Sequence, residues 1–373
     1  MTRRPGNLVL AIAGATSGAT AMLFDLVTKK PIATRVARGI LPLEESEDSL
    51  YYSVRELCNE IAERMNYTAR EASQLSHATV AFSSSRSTSS YERIAAATSD
   101  SRLGPTSPRR ITWITRGEAC LFSSLETTDC IVVKVGTVAF AHAFASGLRN
   151  WHTSSRAGGW GLLSGNDGGA YFLGRQLLYR LFEEFDGRAP LALSSPIIEE
   201  IGATAETLTA WIRRRRIENS LRVEVSKLGR LVVELAEAGR NMVCRDLVQQ
   251  AAILLAHSCV ASIENLRLRC SGFGRECITV LLQGRLLQGS SLLASLFTES
   301  VRNSLIPGLS DAVIFRPLLL TPAAGCLAHS LSEGQGYSWS RIEELLASCA
   351  DSPGFRVDFN PDVIEILRRR SLQ

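Results

Sequence analysis

The residues in this chain best suited to chemistry are glycines and the few polar side chains beside them. Gly14-Ala15-Thr16-Ser17-Gly18 and Gly136-Thr137 interrupt apolar runs, and Gly158-Gly159-Trp160-Gly161 opens a stretch that continues through Gly165-Asn166-Asp167-Gly168-Gly169 to Gly174. Tight glycine turns present backbone N–H groups that can cradle phosphate oxygens. Phosphoryl transfer needs two further parts: a carboxylate that keeps Mg²⁺ on the phosphates and a base that takes the proton of the attacking hydroxyl. Near the turns the carboxylates are few, Glu118 in "ITRGEACL" and Asp167 being the first to consider.

Other chemistries find less support. Gly14, Gly18, Ala19 and Thr20 invite a P-loop reading, but the spacing is one residue short and the lysine is missing. None of the histidines, His77, His142, His152, His257 and His329, follows a nucleophile elbow in the order a Ser-His-Asp hydrolase needs. The 9 cysteines form no C-x-x-C pair and have no histidine at ligand spacing, so they read as reduced thiols of a cytoplasmic protein. A net charge of +4 makes no general electrostatic case for nucleic acid. Arg213 to Arg216 and Arg368 to Arg370 sit beside apolar residues at helical spacing and read as solvated helix faces. Arg3 and Arg4 precede an apolar run, but its strand-type residues continue into a second strand rather than a signal peptide. No uncharged apolar run approaches membrane-spanning length, so no membrane partner is expected.

Positioning the glycine turns requires strands before and after them. At 373 residues the chain is long enough for two domains at roughly 150 residues each. Leu8 to Ala13, Ala19 to Val27 and Pro31 to Ala37 predict a three-stranded meander, and an apolar stripe predicts a helix from about Ser49 to Met65. Ala78 to Phe82 and Ile111 to Thr115 suit buried strands, separated by a Ser-rich segment with a helix around Tyr91 to Ala97. After Thr115 the pattern restarts, with a strand at Cys130 to Val135, a turn at Gly136-Thr137 and a strand at Val138 to Ser146. Helices are predicted over Gly168 to Asp186, Ile197 to Arg214, Val223 to Ala238 and Met242 to Arg269. A late strand, Cys277 to Leu282, runs into Gly284; "TPAAGCLAHSL" opens a helix at Ala323, and two short helices follow. Asp167 is expected to cap the helix after it, Glu118 to join the first turn of its own helix, and Trp160 to sit at a cleft between glycines that bring backbone close to something.

A strand, turn and strand used twice, each turn aimed at a central cleft, is how actin-like folds and sugar kinases hold a nucleotide. The order of elements and the segments "GTVAF", "AGGWGLLSGNDGGAYFLGRQLL", "LLQGRLLQGSSLL" and "TPAAG" resemble the N-acetylglucosamine kinase family and its BadF/BadG-type ATPase relatives, over about Asn7 to Leu331. The resemblance implies an α/β protein with a two-lobed actin-like (ribonuclease H-like) ATPase fold, each lobe a mixed sheet flanked by helices. Residues 1–118 would form the N-terminal lobe, completed by C-terminal helices within 326–373, and residues 119–325 the C-terminal lobe with a helical insertion. ATP and Mg²⁺ are the cofactors it implies, and an amino sugar and a nucleotide the small-molecule partners; a protein partner or a homodimer remain open.

Laid on this chain, the resemblance also shows what has changed. The family's first hairpin carries Asp-Gly-Gly-Gly-Thr, whose Asp helps hold Mg²⁺; here Ala13 stands at that Asp, with Gly14 and Thr16 nearby on the phosphate side. Where the family places its base, Arg116 and Gly117 stand instead, with Glu118 as the substitute within reach of the sequence. The second hairpin keeps Gly136 and Thr137 of Gly-Thr-Gly-Ser, and the family's Gly-Asp-Glu-Gly-Ser becomes Gly165 to Gly169. Arg116, Gly159, Trp160, Asn166 and Asp167 fall on the sugar side; Gly284, followed by the bulky Arg285, falls on the adenosine side. No residue is assigned to a metal. Losing a general base typically lowers the rate by about 10²- to 10⁴-fold, and losing charge stabilisation a similar factor. The expectation is a catalytically impaired kinase homologue that binds a sugar, nucleotide or protein partner as a sensor or scaffold. The alternative is an active ATP-dependent amino-sugar kinase that uses Glu118 and Asp167 as substitute carboxylates.

Overall fold

The computed structural model describes residues 7–15, 18–37, 75, 77–82, 111–161, 165–190, 204–218, 220–352 and 355–371. Thr16 and the helices expected around Ser49 to Met65 and Tyr91 to Ala97 lie outside them. The chain divides into two compact units. Unit 1 holds Met1–Thr127, Gly147–Trp151 and Leu318–Asp358; unit 2 holds Thr128–Ser146, His152–Pro317 and Phe359–Gln373.

Unit 1 is built on five strands, β1 (Leu8–Ala15), β2 (Gly18–Asp25), β3 (Lys30–Ala37), β4 (His77–Phe82) and β5 (Ile111–Thr115), in the order β3-β2-β1-β4-β5. The first three pair antiparallel, as the meander predicts, whereas β4 and β5 run parallel to β1. Leu8 to Ile12 are all buried, the near-continuous apolar reading expected of a strand covered on both faces. The strands' buried polar groups are paired: Thr79 Oγ1 lies 3.2 Å from His329 Nδ1 and 2.5 Å from Ser330 Oγ. Helix α1 (Arg116–Ser124) follows β5 without a loop. It packs against a helix that returns from far along the chain, Pro322–His329, because Gly325 has no side chain to overlap the Ala119 carbonyl.

Unit 2 repeats this topology with β6 (Cys130–Val135), β7 (Ala139–Phe144), β8 (Ser154–Gly158), β9 (Ile278–Gln283) and β10 (Val313–Pro317) in the order β10-β9-β6-β7-β8. Again three strands form an antiparallel meander and two run parallel to its first member. The pattern repeat is therefore one of topology, and β8 completes it although its Ser-Ser-Arg-Ala-Gly sequence carries no strand signal. Helices α2 (Ala170–Phe185), α3 (Ala205–Ile217), α4 (Leu221–Glu237) and α5 (Met242–Arg269) follow. Gly174 of α2 faces the Val225 carbonyl and Gly229 of α4 faces the Ala170 carbonyl, so each glycine lets the other helix's backbone approach.

Helix α5 is long and apolar enough to cross a membrane, a length of apolar chain that a search for uncharged runs overlooks. Its Leu247, Ala251, Leu255, Cys259 and Ile263 recur at helical spacing and are buried in the unit 2 core, which is where that apolar character goes. Beyond it come α6 (Arg285–Gly289), α7 (Ser291–Ser304), α8 (Pro322–His329), α9 (Trp339–Ser348) and α10 (Pro361–Ser371). The chain first crosses between the units after Thr127, α1 lying in unit 1. The C-terminal helices also part company: α9 stays with unit 1, whereas α10 packs in unit 2, where Ser371 Oγ bonds the Phe315 backbone.

Candidate functional site

In unit 1 the predicted residues gather at the carboxyl ends of the parallel strands β1, β4 and β5, the end where open α/β sheets bind ligands. Ala13 is 3% exposed and paired with Thr20 and Ala81 in the sheet, a methyl group where a carboxylate is expected to hold the metal. Gly14, one residue on, accepts a hydrogen bond at its carbonyl from Arg116 Nη1 at 2.5 Å. Gly117 is buried in the first turn of α1.

Glu118 has a structural task. Thr115 Oγ1 accepts from Glu118 N at 3.0 Å, and Glu118 Oε2 accepts in return from Thr115 N at 2.5 Å. This capping box satisfies donors that a helix start leaves open, as the position of Glu118 in the first turn predicts.

Arg116 is half-buried and its Nε wholly buried, without a hydrogen-bond partner. Burial lowers its basicity, opposed by the nearby thiols of Cys120 and Cys326. The Cys326 thiol, itself pushed up to about 12 by burial, donates to the Ile12 carbonyl at 3.3 Å. Magnesium requires oxygen ligands in near-octahedral array. The side chains of Ala13, Gly117 and Arg116 offer none, so they do not fit the metal that the resemblance implies. Among the described residues no group of three or more His, Cys, Asp or Glu could hold a metal ion.

In unit 2 a second set converges at the carboxyl ends of the parallel strands β6 and β9. Gly136-Thr137 turns the chain from β6 into β7, and the Gly136 carbonyl accepts from Ala170 N, at the start of α2, at 2.7 Å. A side chain at Gly169 would press on the carbonyls of Gly136, Thr137 and Asn166, each 3.1 Å away. Turn and helix start are thereby pinned together. Gly284, at the end of β9, has φ 119° and lies against the Val135 backbone, so no other residue fits there. Arg285 is exposed.

Asp167 does not cap α2, which corrects the sequence expectation. The N-cap is Gly169, without a side-chain hydrogen bond, and Asp167 is exposed. The cap falls two residues later than the Asp, because Gly168 and Gly169 carry the approach to α5 and to the Gly136 turn. Asn166 is only 3% exposed, yet neither Oδ1 nor Nδ2 has a partner, and Gln283 Oε1 at the end of β9 is likewise buried and unpartnered. Unmade hydrogen bonds on buried amides are destabilising and uncommon in folded proteins. Trp160 is 51% exposed, held where Gly159 N and Trp160 N both donate to the Gly165 carbonyl, at 2.6 and 3.1 Å.

Sequence reasoning placed Asn166, and Gln283 beside Gly284 on the adenosine side, but could not see that their amides are buried and unsatisfied. It also missed that Arg116 reaches Gly14, a contact across 102 positions with no local signal.

No protein-family model and no curated protein matches this chain. Solved structures do. A protein assigned as an N-acetylglucosamine kinase from Chromobacterium violaceum superposes with TM-score 0.59 at 19% identity, covering 86% of this chain and 98% of that one. Its counterpart from Porphyromonas gingivalis gives TM-score 0.58 at 13% identity, covering 87% and 98%. A ROK family transcriptional regulator, a homologue of the Escherichia coli MLC protein, gives TM-score 0.51 at 12% identity, covering 90% and 81%. The chain has the α/β actin-like fold of the sugar kinases; at these identities the likeness is one of fold.

Proposed function

We propose that this chain is an N-acetylglucosamine-kinase-like protein that has lost effective phosphoryl transfer and binds an amino sugar in a sensor or scaffold role. The observation that carries the reading is the pair of replaced carboxylates: buried Ala13 at the metal-holding position and buried Gly117 at the base position, with Glu118 already engaged in the α1 capping box. Two such losses together, at about 10²- to 10⁴-fold for the base alone, leave little turnover. Sugar binding is supported by the unsatisfied amide of Asn166, suited to hydroxyl and N-acetyl groups, and by the exposed ring of Trp160 on the same glycine segment. Nucleotide binds weakly, through the amides of the Gly136-Thr137 turn. The described cysteines are all free, as a reducing cytoplasm would keep them.

A second reading, an active amino-sugar kinase, draws on Asp167, whose exposed carboxylate caps nothing. Incubation with N-acetylglucosamine, ATP and Mg²⁺ while ADP is followed decides between them. The impaired reading expects no sugar-dependent ADP; steady sugar-dependent turnover replaces it with the active one.

A further inference from the structure

Among the described residues Arg116 is a cation without an anion. Its Nη1 is fixed on the Gly14 carbonyl at 2.5 Å and its Nε is buried without a partner. The ionisable groups acting on it are the thiols of Cys120 and Cys326, and no carboxylate pairs with it among the described residues. Glu118, the acid in the first turn of α1, is turned toward Thr115 N. A guanidinium keeps its proton at neutral pH even when burial lowers its basicity. Partly removed from water and left unneutralised, such a charge is destabilising until an anion completes it.

Further donors stand beside it. The first amides of a helix have no intrahelical acceptor, and Thr115 Oγ1 takes only that of Glu118, so the Arg116 and Gly117 amides remain at the positive end of α1. Ala13 and Gly117 bring no negative charge to oppose an incoming anion. A neutral hydroxyl would leave the guanidinium uncompensated, whereas a tetrahedral dianion has oxygens for both the guanidinium fork and the helix amides.

We propose that this corner of unit 1 is a metal-independent site for a phosphate monoester, with Arg116 supplying the fixed positive charge. The site lies within unit 1, and the ligand named for it is a sugar that already carries its phosphate, the product of a sugar kinase rather than its substrate. The terminal phosphate of a nucleotide shares this chemistry, and the test separates the two.

The full chain is titrated calorimetrically in EDTA, then in Mg²⁺, with N-acetylglucosamine 6-phosphate, N-acetylglucosamine, inorganic phosphate, ADP and glucuronate. The sugar phosphate is expected to bind in EDTA with no gain from Mg²⁺. Arg116→Lys should weaken it modestly and Arg116→Met by about tenfold or more. The ligand-free Tm of Arg116→Met should be unchanged or raised, since an uncompensated charge has gone. A structural arginine would behave oppositely, lowering the ligand-free Tm on removal and leaving the titration alone, and that result overturns the proposal. So does phosphate binding that requires Mg²⁺, or glucuronate binding tighter than the sugar phosphate. N-Acetylglucosamine binding with no phosphate binding sinks this proposal and spares the sugar-binding reading. Sugar phosphate no tighter than inorganic phosphate upholds the anion site and sinks the sugar. ADP tighter than the sugar phosphate upholds the site with a nucleotide as its source.

Discussion

The two units share one sheet topology and keep different parts of the chemistry that topology can carry. At the strand ends of unit 2 the backbone devices persist: the Gly136-Thr137 turn, the Gly169 approach and the left-handed Gly284 remain interlocked, with Asn166 and Gln283 buried and unsatisfied beside them. At those of unit 1 the side-chain devices have changed sign. Two positions that carry acids in the resemblance hold Ala13 and Gly117, and Arg116 brings a positive charge to the first turn of α1. The glycines let backbones touch and so hold the unit 2 turn together, whereas Ala13 and Gly117 add no charge to unit 1.

That contrast is most readily broken at Gly284. Gly284→Ala must place a methyl group on the Val135 backbone and hold φ near 119°, so a loss of about 3 kcal/mol or more is expected, read as a fall in the denaturation midpoint. An unchanged midpoint would mean that the unit 2 turn is not interlocked. The reverse test concerns unit 1, where side chains and not backbone are missing. Ala13→Asp or Gly117→Asp alone should give almost no sugar phosphate, because each leaves the other defect; the double change should exceed either single by about 10²-fold or more. Arg116 can pair with a carboxylate introduced beside it and depress its basicity, so the double change is also made with Arg116→Thr. If wild-type protein already matches the repaired chains in sugar phosphate formed, the two lost carboxylates were never limiting.

Two smaller effects sharpen the comparison. Asn166→Leu removes two unsatisfied buried atoms and should raise stability by about 1 kcal/mol while abolishing sugar binding; a loss of stability would show that the amide is structural. Thr115→Ala should lower stability by about 1 kcal/mol through the α1 capping box, whereas Asp167→Ala, exposed and capping nothing, should stay within about 0.5 kcal/mol. Thermal denaturation compares the last pair directly. Equal losses would return Asp167 to the capping role that its sequence position suggests.

The fold was legible to the extent that its signals are local. Short apolar runs marked β1, β2, β6 and β9, the 3.6 period marked α2 and α4, and for α5 even the ends were right, because Asn241 offers a cap and the apolar stripe stops at Arg269. β8 was invisible, since a short polar strand is held by its pairing with β7 and not by propensity. The candidate site divided in the same way. Gly136, Gly169 and Gly284 could be found because glycine beside a strand end marks unusual backbone, and Glu118 could be placed because a capping box is complete within four residues.

By itself, then, the sequence determined the repeated strand-turn-strand pattern, the glycine turns and the absence of acids at positions 13 and 117, all properties of residues within a few positions of one another. Only the tertiary structure decided that α10 joins unit 2, that Asp167 is left without a helix to cap, that the Asn166 amide is buried unsatisfied, and that Arg116 lies on Gly14 with no carboxylate among the described residues to neutralise it. Burial and charge balance are sums over neighbours brought in from distant parts of the chain, and no window along the sequence contains them.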